Sequence, residues 1–151
     1  NGGEVIHPHQ NFRFVASGNT AGIGDESGSY VGTAQQNLAT MDRFWMVNMT
    51  YPSHEVESKI LDKKFGDLID SSIIERLVSF ANKVRNSFEE GEMSATMSTR
   101  TLIRWCSMID LYRNANLDEC VIGYTLERAF SGKLPKEERE AANDLKKAIF
   151  D

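Results

Sequence analysis

Three polar residues, far apart in the sequence, carry side chains that could bind or orient a phosphate group: Asn19, Arg43 and Arg100. Asn19 follows a short apolar run, "FRFVAS" at 12–17. At the carboxyl end of a parallel strand, a side chain points into the crevice where α/β proteins bind ligands. The uncharged amide of Asn19 could there orient a water or a phosphate oxygen. Asn is also a common turn residue, so a turn-forming Asn19 is the alternative.

The two arginines each have an ordinary interpretation and a functional one. Arg43 lies at the end of a predicted helix, where a cation compensates the helix dipole. It could instead act as an arginine finger, which neutralises a transferring phosphoryl group and can be supplied by a neighbouring subunit. Arg100, in "STRTLIRW" at 98–105, falls in the first turn of a predicted helix, where a cation opposes the dipole. A bound phosphate would reverse that sign, and an ion pair with Glu92 or another carboxylate is the alternative.

The other possible chemical motifs are weak. The glycine-rich stretch 18–33 fits neither GxxxxGK[ST] nor GxGxxG, so a flexible surface loop is the default interpretation. The "HPH" at 7–9 and the distant His54 lack the spacing of a metal site, and no metal site is predicted. Cys106 and Cys120 lie in apolar helical patterns and are predicted to be reduced core thiols, with a disulfide as the minor alternative.

The elements that would position these residues change in character along the chain. Residues 12–17 and 45–51 are typical of buried strands, and a short helix is predicted between them at 34–44. After Pro52 the pattern becomes helical throughout. The predicted fold class is therefore α/β followed by all-α, with one domain at 1–52 and a helical domain at 53–151.

Five helices are predicted in the second domain. The first is capped by Ser53 and ends near Phe65, before Gly66. The other predictions are a helix with Ile73, Leu77, Phe80, Val84 and Phe88 on one face, a helix at 99–114, a helix opened by a capping box of Asn116 and Glu119 and ending near Phe130, and a last helix opened by Pro135. Residues 89–98 are predicted to be a loop.

The composition excludes several classes of protein. The chain has 151 residues, of which 40% are hydrophobic and 26% charged, with a net charge of −5. This is a soluble globular composition, and the acidic balance makes a nucleic-acid partner unlikely. No apolar run approaches the ~20 residues that cross a bilayer, and the first residues do not resemble a signal peptide. A cytoplasmic protein without a membrane partner is expected.

Taken in order, the motifs resemble a known family. The pieces are Ala16-Ser17-Gly18-Asn19-Thr20, then Gly28-Ser29-Tyr30-Val31-Gly32-Thr33, Asp42-Arg43-Phe44 and Tyr51-Pro52. Residues 5–61 resemble the second half of the AAA+ ATPase core, in the MoxR-like branch that includes the cobalt chelatase ATPase subunit and NorQ. Ser98-Thr99-Arg100-Thr101 is a weaker match to the family's "SxR" helix start. Thr20 departs from the proline that frequently follows the Asn in this family.

The resemblance implies roles for the three polar residues. Asn19 matches sensor 1, which holds the attacking water or contacts the γ-phosphate. Arg43 matches the arginine finger that reaches the adjacent subunit of a ring, and Arg100 matches sensor 2 of the lid. It also implies a partial AAA+ core, formed by the last strands of a parallel sheet, plus a helical lid.

The family binds ATP with a Walker A loop and holds Mg²⁺ with a Walker B motif, and this sequence contains neither. We therefore expect a C-terminal portion of a longer ATPase, inactive alone. The parent chain would work in a homo-oligomeric, hexamer-type ring on a protein substrate or partner subunit. The alternative is a non-enzymatic helical interaction domain with a vestigial α/β segment.

Overall fold

The structure is a computed structural model, and it describes residues 3, 5–20, 22, 24 and 34–150. The chain divides into two compact units. The N-terminal unit comprises Asn1–Asn48 and the helical unit comprises Met49–Asp151. The predicted glycine- and tyrosine-containing motif at 28–33 lies outside the described residues.

The two strands predicted in the first 52 residues are not seen. Residues 12–17 and 45–51 have no regular secondary structure, and their apolar side chains are exposed, including Val15 at 87% and Trp45 at 99%. A strand is stable only when its N–H and C=O groups pair with a neighbouring strand. Neither segment has such a neighbour among the described residues, so the prediction of buried strands is corrected to exposed segments without regular secondary structure.

The short helix predicted at 34–44 is confined to one turn, α1, at Leu38–Met41. Asn37 caps it, because its side chain accepts a hydrogen bond from the backbone N–H of Ala39 at 2.8 Å. Asp42 and Arg43 follow in a turn. Within this unit the rings of Phe14 and Phe44 pack at 5.8 Å between centroids.

The helical unit contains five α-helices among its described residues. They are α2 at His54–Phe65, α3 at Ser71–Glu89, α4 at Thr99–Tyr112, α5 at Val121–Ala129 and α6 at Lys136–Phe150, with a single 3₁₀ turn at Ser131–Lys133 before α6. The helical half of the predicted fold class is confirmed, and it is consistent with a lid domain. No described helix is long and apolar enough to cross a membrane.

The predicted starts of α2 and α4 and the predicted end of α2 are confirmed. Ser53 caps α2 by accepting from the N–H of Val56, and Ser98 caps α4 in the same way. Gly66 is the C-cap of α2, and its backbone N–H donates to the carbonyl oxygen of Asp62. A Cβ at this position would lie 2.6 Å from the carbonyl oxygen of Asp62, so only glycine fits without a shift of the backbone.

The start of α5 differs from the prediction. The helix begins at Val121, five residues after Asn116, and its N-cap Cys120 makes no side-chain capping bond. The ring of Tyr112, at the end of α4, packs edge-on against Tyr124 with centroids 5.1 Å apart. Packing between α4 and α5 therefore sets this helix start, where the capping pattern alone had indicated an earlier one.

The core of the helical unit forms around α3, which packs against α2, α4 and α6. Phe80 of α3 and Trp105 of α4 are fully buried and meet edge-on at 5.2 Å. The Trp105 ring also contacts Phe150 at the end of α6, at 6.1 Å. Aromatic pairs of this kind add stability beyond the area they bury. They fix the position of α4, the helix that carries Arg100.

Candidate functional site

Asn19 lies in the N-terminal unit, in a bend formed by residues 19 and 20. Its side chain is exposed, while the neighbouring Thr20 is half-buried. A Cβ at Gly18 would meet no atom of the described residues within 4 Å. A ligand could therefore approach Asn19. Whether Asn19 acts as sensor 1 stays a prediction.

Arg43 also lies in the N-terminal unit, two residues after α1 ends at Met41. Its backbone N–H donates to the carbonyl of Thr40 at 3.2 Å, which closes the turn. The guanidinium is exposed and makes no hydrogen bond or ion pair with the described residues. The side chain is thus available to another molecule, as an arginine finger requires.

Arg100 is the second residue of α4 in the helical unit. Ser98 caps this helix, and its hydroxyl accepts from the N–H of Thr101 at 3.2 Å. Arg100 is exposed and has no carboxylate partner among the described residues. The proposed partner Glu92 instead accepts a hydrogen bond from the Ser87 hydroxyl at 3.0 Å.

The position of Arg100 is electrostatically unusual. The first turn of a helix has free N–H groups and a partial positive charge, so a cation there is unfavourable unless an anion is close. No acidic residue lies in the first turn of α4. An anion placed at this helix start would be attracted by both the N–H groups and the Arg100 guanidinium.

A buried ion pair behind this helix start was not predicted from the sequence. Arg85 and Glu57 are 3% and 0% exposed. Nη1 of Arg85 donates to Oε2 of Glu57 at 2.7 Å, and Nη2 donates to Oε1 at 2.8 Å. Glu57 lies in the first turn of α2.

A signal for this pair was present in the helical periodicity. Arg85 follows the buried Val78 and Ala81 at spacings of seven and four residues, which places it on the core face of α3. Glu57 precedes the buried Leu61 by four residues on α2. A charged residue at a core position of each of two neighbouring helices is typical of a buried ion pair.

A second polar group connects α2 and α3 closer to the surface. Nε2 of His54 binds Oε2 of Glu75 at 2.5 Å, and Nδ1 of His54 lies 3.4 Å from the side-chain nitrogen of Asn82. The hydrogen bond from His54 is the main cause that lowers the pKa of Glu75. Among the described residues no three histidine, cysteine or carboxylate side chains are grouped to hold a metal ion.

The described helices also form an open groove of about 520 Å³ between α3 and α6. Its lining mixes apolar and polar side chains: Lys83, Asn86, Ser87, Glu90, Met93, Ala141, Asp144, Leu145 and Ala148. None of the three predicted phosphate-binding residues lies on it. The groove is therefore not part of the candidate site.

Comparison with known proteins places the helical unit in a family. The family model described as CbbQ/NirQ/NorQ C-terminal matches residues 57–147. The aerobic cobaltochelatase subunit CobS of Sinorhizobium sp is 38% identical over 112 residues, which cover 72% of this chain and 34% of that protein. An uncharacterized protein of Staphylococcus haemolyticus is 27% identical over 148 residues, covering 97% of this chain and 49% of that protein.

The chain thus spans between a third and a half of the length of these two relatives. No solved structure matches it. The family match covers Glu57, Arg85 and Arg100, whereas Asn19 and Arg43 precede it. The resemblance inferred from the sequence motifs is confirmed: the chain belongs to the CbbQ/NirQ/NorQ C-terminal family, within the MoxR-like branch of the AAA+ ATPases.

Proposed function

We propose that this chain is the sensor and lid portion of an AAA+ ATPase that couples ATP binding and hydrolysis to the remodelling of a partner protein or complex. The observation that carries this proposal is Arg100. It is exposed in the first turn of α4, without a carboxylate partner among the described residues, in a chain of the CbbQ/NirQ/NorQ C-terminal family. A nucleotide phosphate is the partner that its position favours.

Arg100 has the role of sensor 2 in this proposal. Its guanidinium contacts the γ-phosphate, so the lid responds to whether ATP or ADP is bound. A guanidinium suits this task because it is always charged and can donate two parallel hydrogen bonds to phosphate oxygens. The γ-phosphate in turn relieves the unfavourable charge of Arg100 at the helix start.

Asn19 and Arg43 supply the remaining polar groups of the proposed nucleotide site. The amide of Asn19 orients the attacking water or a γ-phosphate oxygen. Arg43 reaches the nucleotide of the adjacent subunit and stabilises charge on the phosphoryl group as it transfers. Its exposed guanidinium supports this assignment, which requires a homo-oligomeric ring of hexamer type.

The residues of this chain fit part of a nucleotide site. The two arginines and the amide suit phosphate oxygens, and bound ATP supplies the phosphoryl group for transfer to water. Among the described residues no three histidine, cysteine or carboxylate side chains are grouped to hold a metal ion, and we propose that the Mg²⁺ ligands lie elsewhere in the parent chain. We expect the 151 residues alone to bind ATP more weakly than micromolar, which calorimetry measures.

The similarity to a cobaltochelatase subunit supports the proposal that the parent protein acts on a larger assembly. We propose that the parent ring acts on a protein substrate or a partner subunit, in the cytoplasm. The chemistry of the partner is set outside the sensor residues, because one ATPase fold serves many substrates.

ATP turnover by the full-length protein tests the proposal. Arg100→Ala should lower turnover strongly, while Arg104→Ala, which removes an exposed arginine one turn further along the same helix, should leave it near the wild-type value. Equal turnover in the wild type and Arg100→Ala would remove Arg100 from the reaction.

A second function, a helical interaction domain without catalysis, has one observation in its favour. Val56, Ile60 and Leu68, on or just after α2, are 49%, 39% and 43% exposed. Exposed apolar side chains of this kind occur at protein interfaces. If the full-length protein had no ATP turnover at all, this function would replace the ATPase proposal.

A further inference from the structure

The buried pair of Glu57 and Arg85 makes hydrogen bonds to the start of α4. Nε of Arg85 donates to the carbonyl oxygen of Met97 at 2.8 Å. The hydroxyl of Thr99 donates to Oε1 of Glu57 at 2.6 Å. The two bonds reach the residues directly before and after the N-cap Ser98, so the pair is bonded to the helix start at two points.

The same pair contacts the segment that leads into α2. The Arg85 guanidinium lies over the ring of Tyr51, 4.1 Å from its centroid. The Tyr51 hydroxyl lies 3.4 Å from Oγ1 of Thr96, just before α4. Nη1 of Arg85 also donates to Oδ1 of Asn82 at 2.9 Å. The nitrogens of Arg85 therefore bind acceptors on α2, on α3 and in the loop before α4.

Stability alone does not account for this arrangement. Two charges lose hydration when they are buried, and apolar residues of similar volume often stabilise a core as well or better. What a two-point guanidinium–carboxylate contact supplies is fixed geometry. Here that geometry is passed to Met97 and Thr99 through direct hydrogen bonds. Arg100 is the next residue along the chain.

We propose that Glu57, Arg85 and Thr99 are positioning residues, which fix the first turn of α4 so that Arg100 presents its guanidinium to a nucleotide phosphate. This inference rests on the phosphate role proposed for Arg100. Thr99 directly precedes Arg100, and its hydroxyl binds the buried carboxylate. It therefore connects the ion pair to the position of Arg100. A small displacement of a group that contacts a reacting phosphate lowers turnover steeply.

The test uses Thr99→Val and Thr99→Ser in the full-length protein. Valine keeps the shape of threonine and removes the hydroxyl, whereas serine keeps the hydroxyl. The ion pair remains in both variants, but Thr99→Val leaves Oε1 of Glu57 with one hydrogen bond fewer and should lower the unfolding midpoint. Turnover is therefore compared at a temperature at which thermal unfolding shows both variants to be folded. We expect Thr99→Val to lower kcat for ATP hydrolysis about tenfold and Thr99→Ser to stay close to the wild type.

A second background shows whether Thr99 acts through Arg100. In Arg100→Ala, the substitution Thr99→Val should cause no further loss of kcat, because the group that Thr99 positions is gone. The same tenfold loss in both backgrounds would overturn the inference, as would wild-type kcat in Thr99→Val alone. Wild-type kcat in Arg100→Ala would instead defeat the proposed function itself, and the inference with it.

A further variant distinguishes a loss of positioning from a simple folding defect. Glu57→Leu combined with Arg85→Met replaces both charges by apolar side chains and should keep the fold. We expect this double variant to remain folded, to melt above Arg85→Met alone, and to lose about tenfold in kcat. Full turnover in this folded double variant would show that the buried pair does not position Arg100.

Discussion

Arg85 binds both carboxylate oxygens of Glu57 inside the helical unit, at 2.7 and 2.8 Å, with neither residue more than 3% exposed. Each charge is satisfied by further hydrogen bonds, from Thr99 to Glu57 and from Arg85 to Met97 and Asn82. The pair thus joins α2, α3 and the start of α4, and its loss has measurable consequences for stability.

Removing one member of the pair should destabilise the protein far more than removing both. Arg85→Met leaves the Glu57 carboxylate buried without its cation, which costs roughly 3–5 kcal/mol of unfolding free energy. Glu57→Leu with Arg85→Met leaves no buried charge and should cost clearly less than Arg85→Met alone, even though the Met97 carbonyl and the Thr99 hydroxyl lose their partners. Urea unfolding followed by circular dichroism measures both. Equal losses in the single and double variants would contradict this account.

The stability of the core around the buried Trp105 should depend on one hydroxyl group. Its Nε1–H donates to Oγ1 of Thr125 at 3.0 Å, and both residues are fully buried. Thr125→Val keeps the volume but leaves the indole N–H without this acceptor, which costs roughly 1–3 kcal/mol.

Thr125→Ser is the matched control, since it keeps the hydroxyl and loses only a methyl group. Its unfolding midpoint in urea should lie above that of Thr125→Val. The reverse order would show that packing of the methyl group outweighs the hydrogen bond.

The two cysteines should differ sharply in reactivity. Burial raises the pKa of the Cys106 thiol to about 12, so its reactive thiolate is almost absent near neutral pH. Cys120 is exposed. An alkylating reagent should therefore modify one thiol in the native protein and two in urea. Cys120→Ser should stay unmodified until it unfolds, and rapid native labelling of that variant would contradict the burial of Cys106.

The sequence predicted the helical unit well because its signals are local. Ser53 and Ser98 cap helices whose apolar residues repeat at helical spacing, and these helices form as expected. The start of α5 was wrong because contact between Tyr112 and Tyr124 outweighs a local capping pattern. Cys120 was predicted to be in the core and is exposed for the same reason, since it precedes the helix.

Predictions that depended on distant pairing were less successful. The segments 12–17 and 45–51 have strand-like composition, but a strand requires a neighbouring strand, and no described segment supplies one. The buried pair of Glu57 and Arg85 was not predicted, because helical spacing puts each residue on a core face but does not show that α2 and α3 bring the two together. The roles of Asn19, Arg43 and Arg100 remain predictions.

Loss of Arg43 should affect ATP hydrolysis in the adjacent subunit most strongly. If the full-length protein forms the proposed ring, Arg43→Ala should lower ATP turnover about a thousandfold or more while nucleotide binding is retained, as expected of an arginine finger. In rings mixed with wild-type subunits, each variant subunit should inactivate the adjacent site. Titrating variant into wild-type protein and measuring turnover tests this.

Arg13→Ala is the control for Arg43→Ala, because Arg13 is exposed in the same unit and, among the described residues, its side chain bonds only to the backbone carbonyls of Gln10 and Phe12. Mixed rings with Arg13→Ala should keep their turnover. If Arg43→Ala behaved in the same way, Arg43 would not be the finger.

The most direct test of the account is the affinity of the full-length Arg100→Ala protein for ATP and for ADP, measured by nucleotide titration. Because Arg100 is assigned to the γ-phosphate, which ADP lacks, its loss should weaken ATP binding about tenfold or more and leave ADP binding unchanged. Arg104→Ala should change neither affinity. Equal effects of Arg100→Ala on the two nucleotides, or no effect on either, would contradict the assignment of Arg100 as the residue that senses the γ-phosphate.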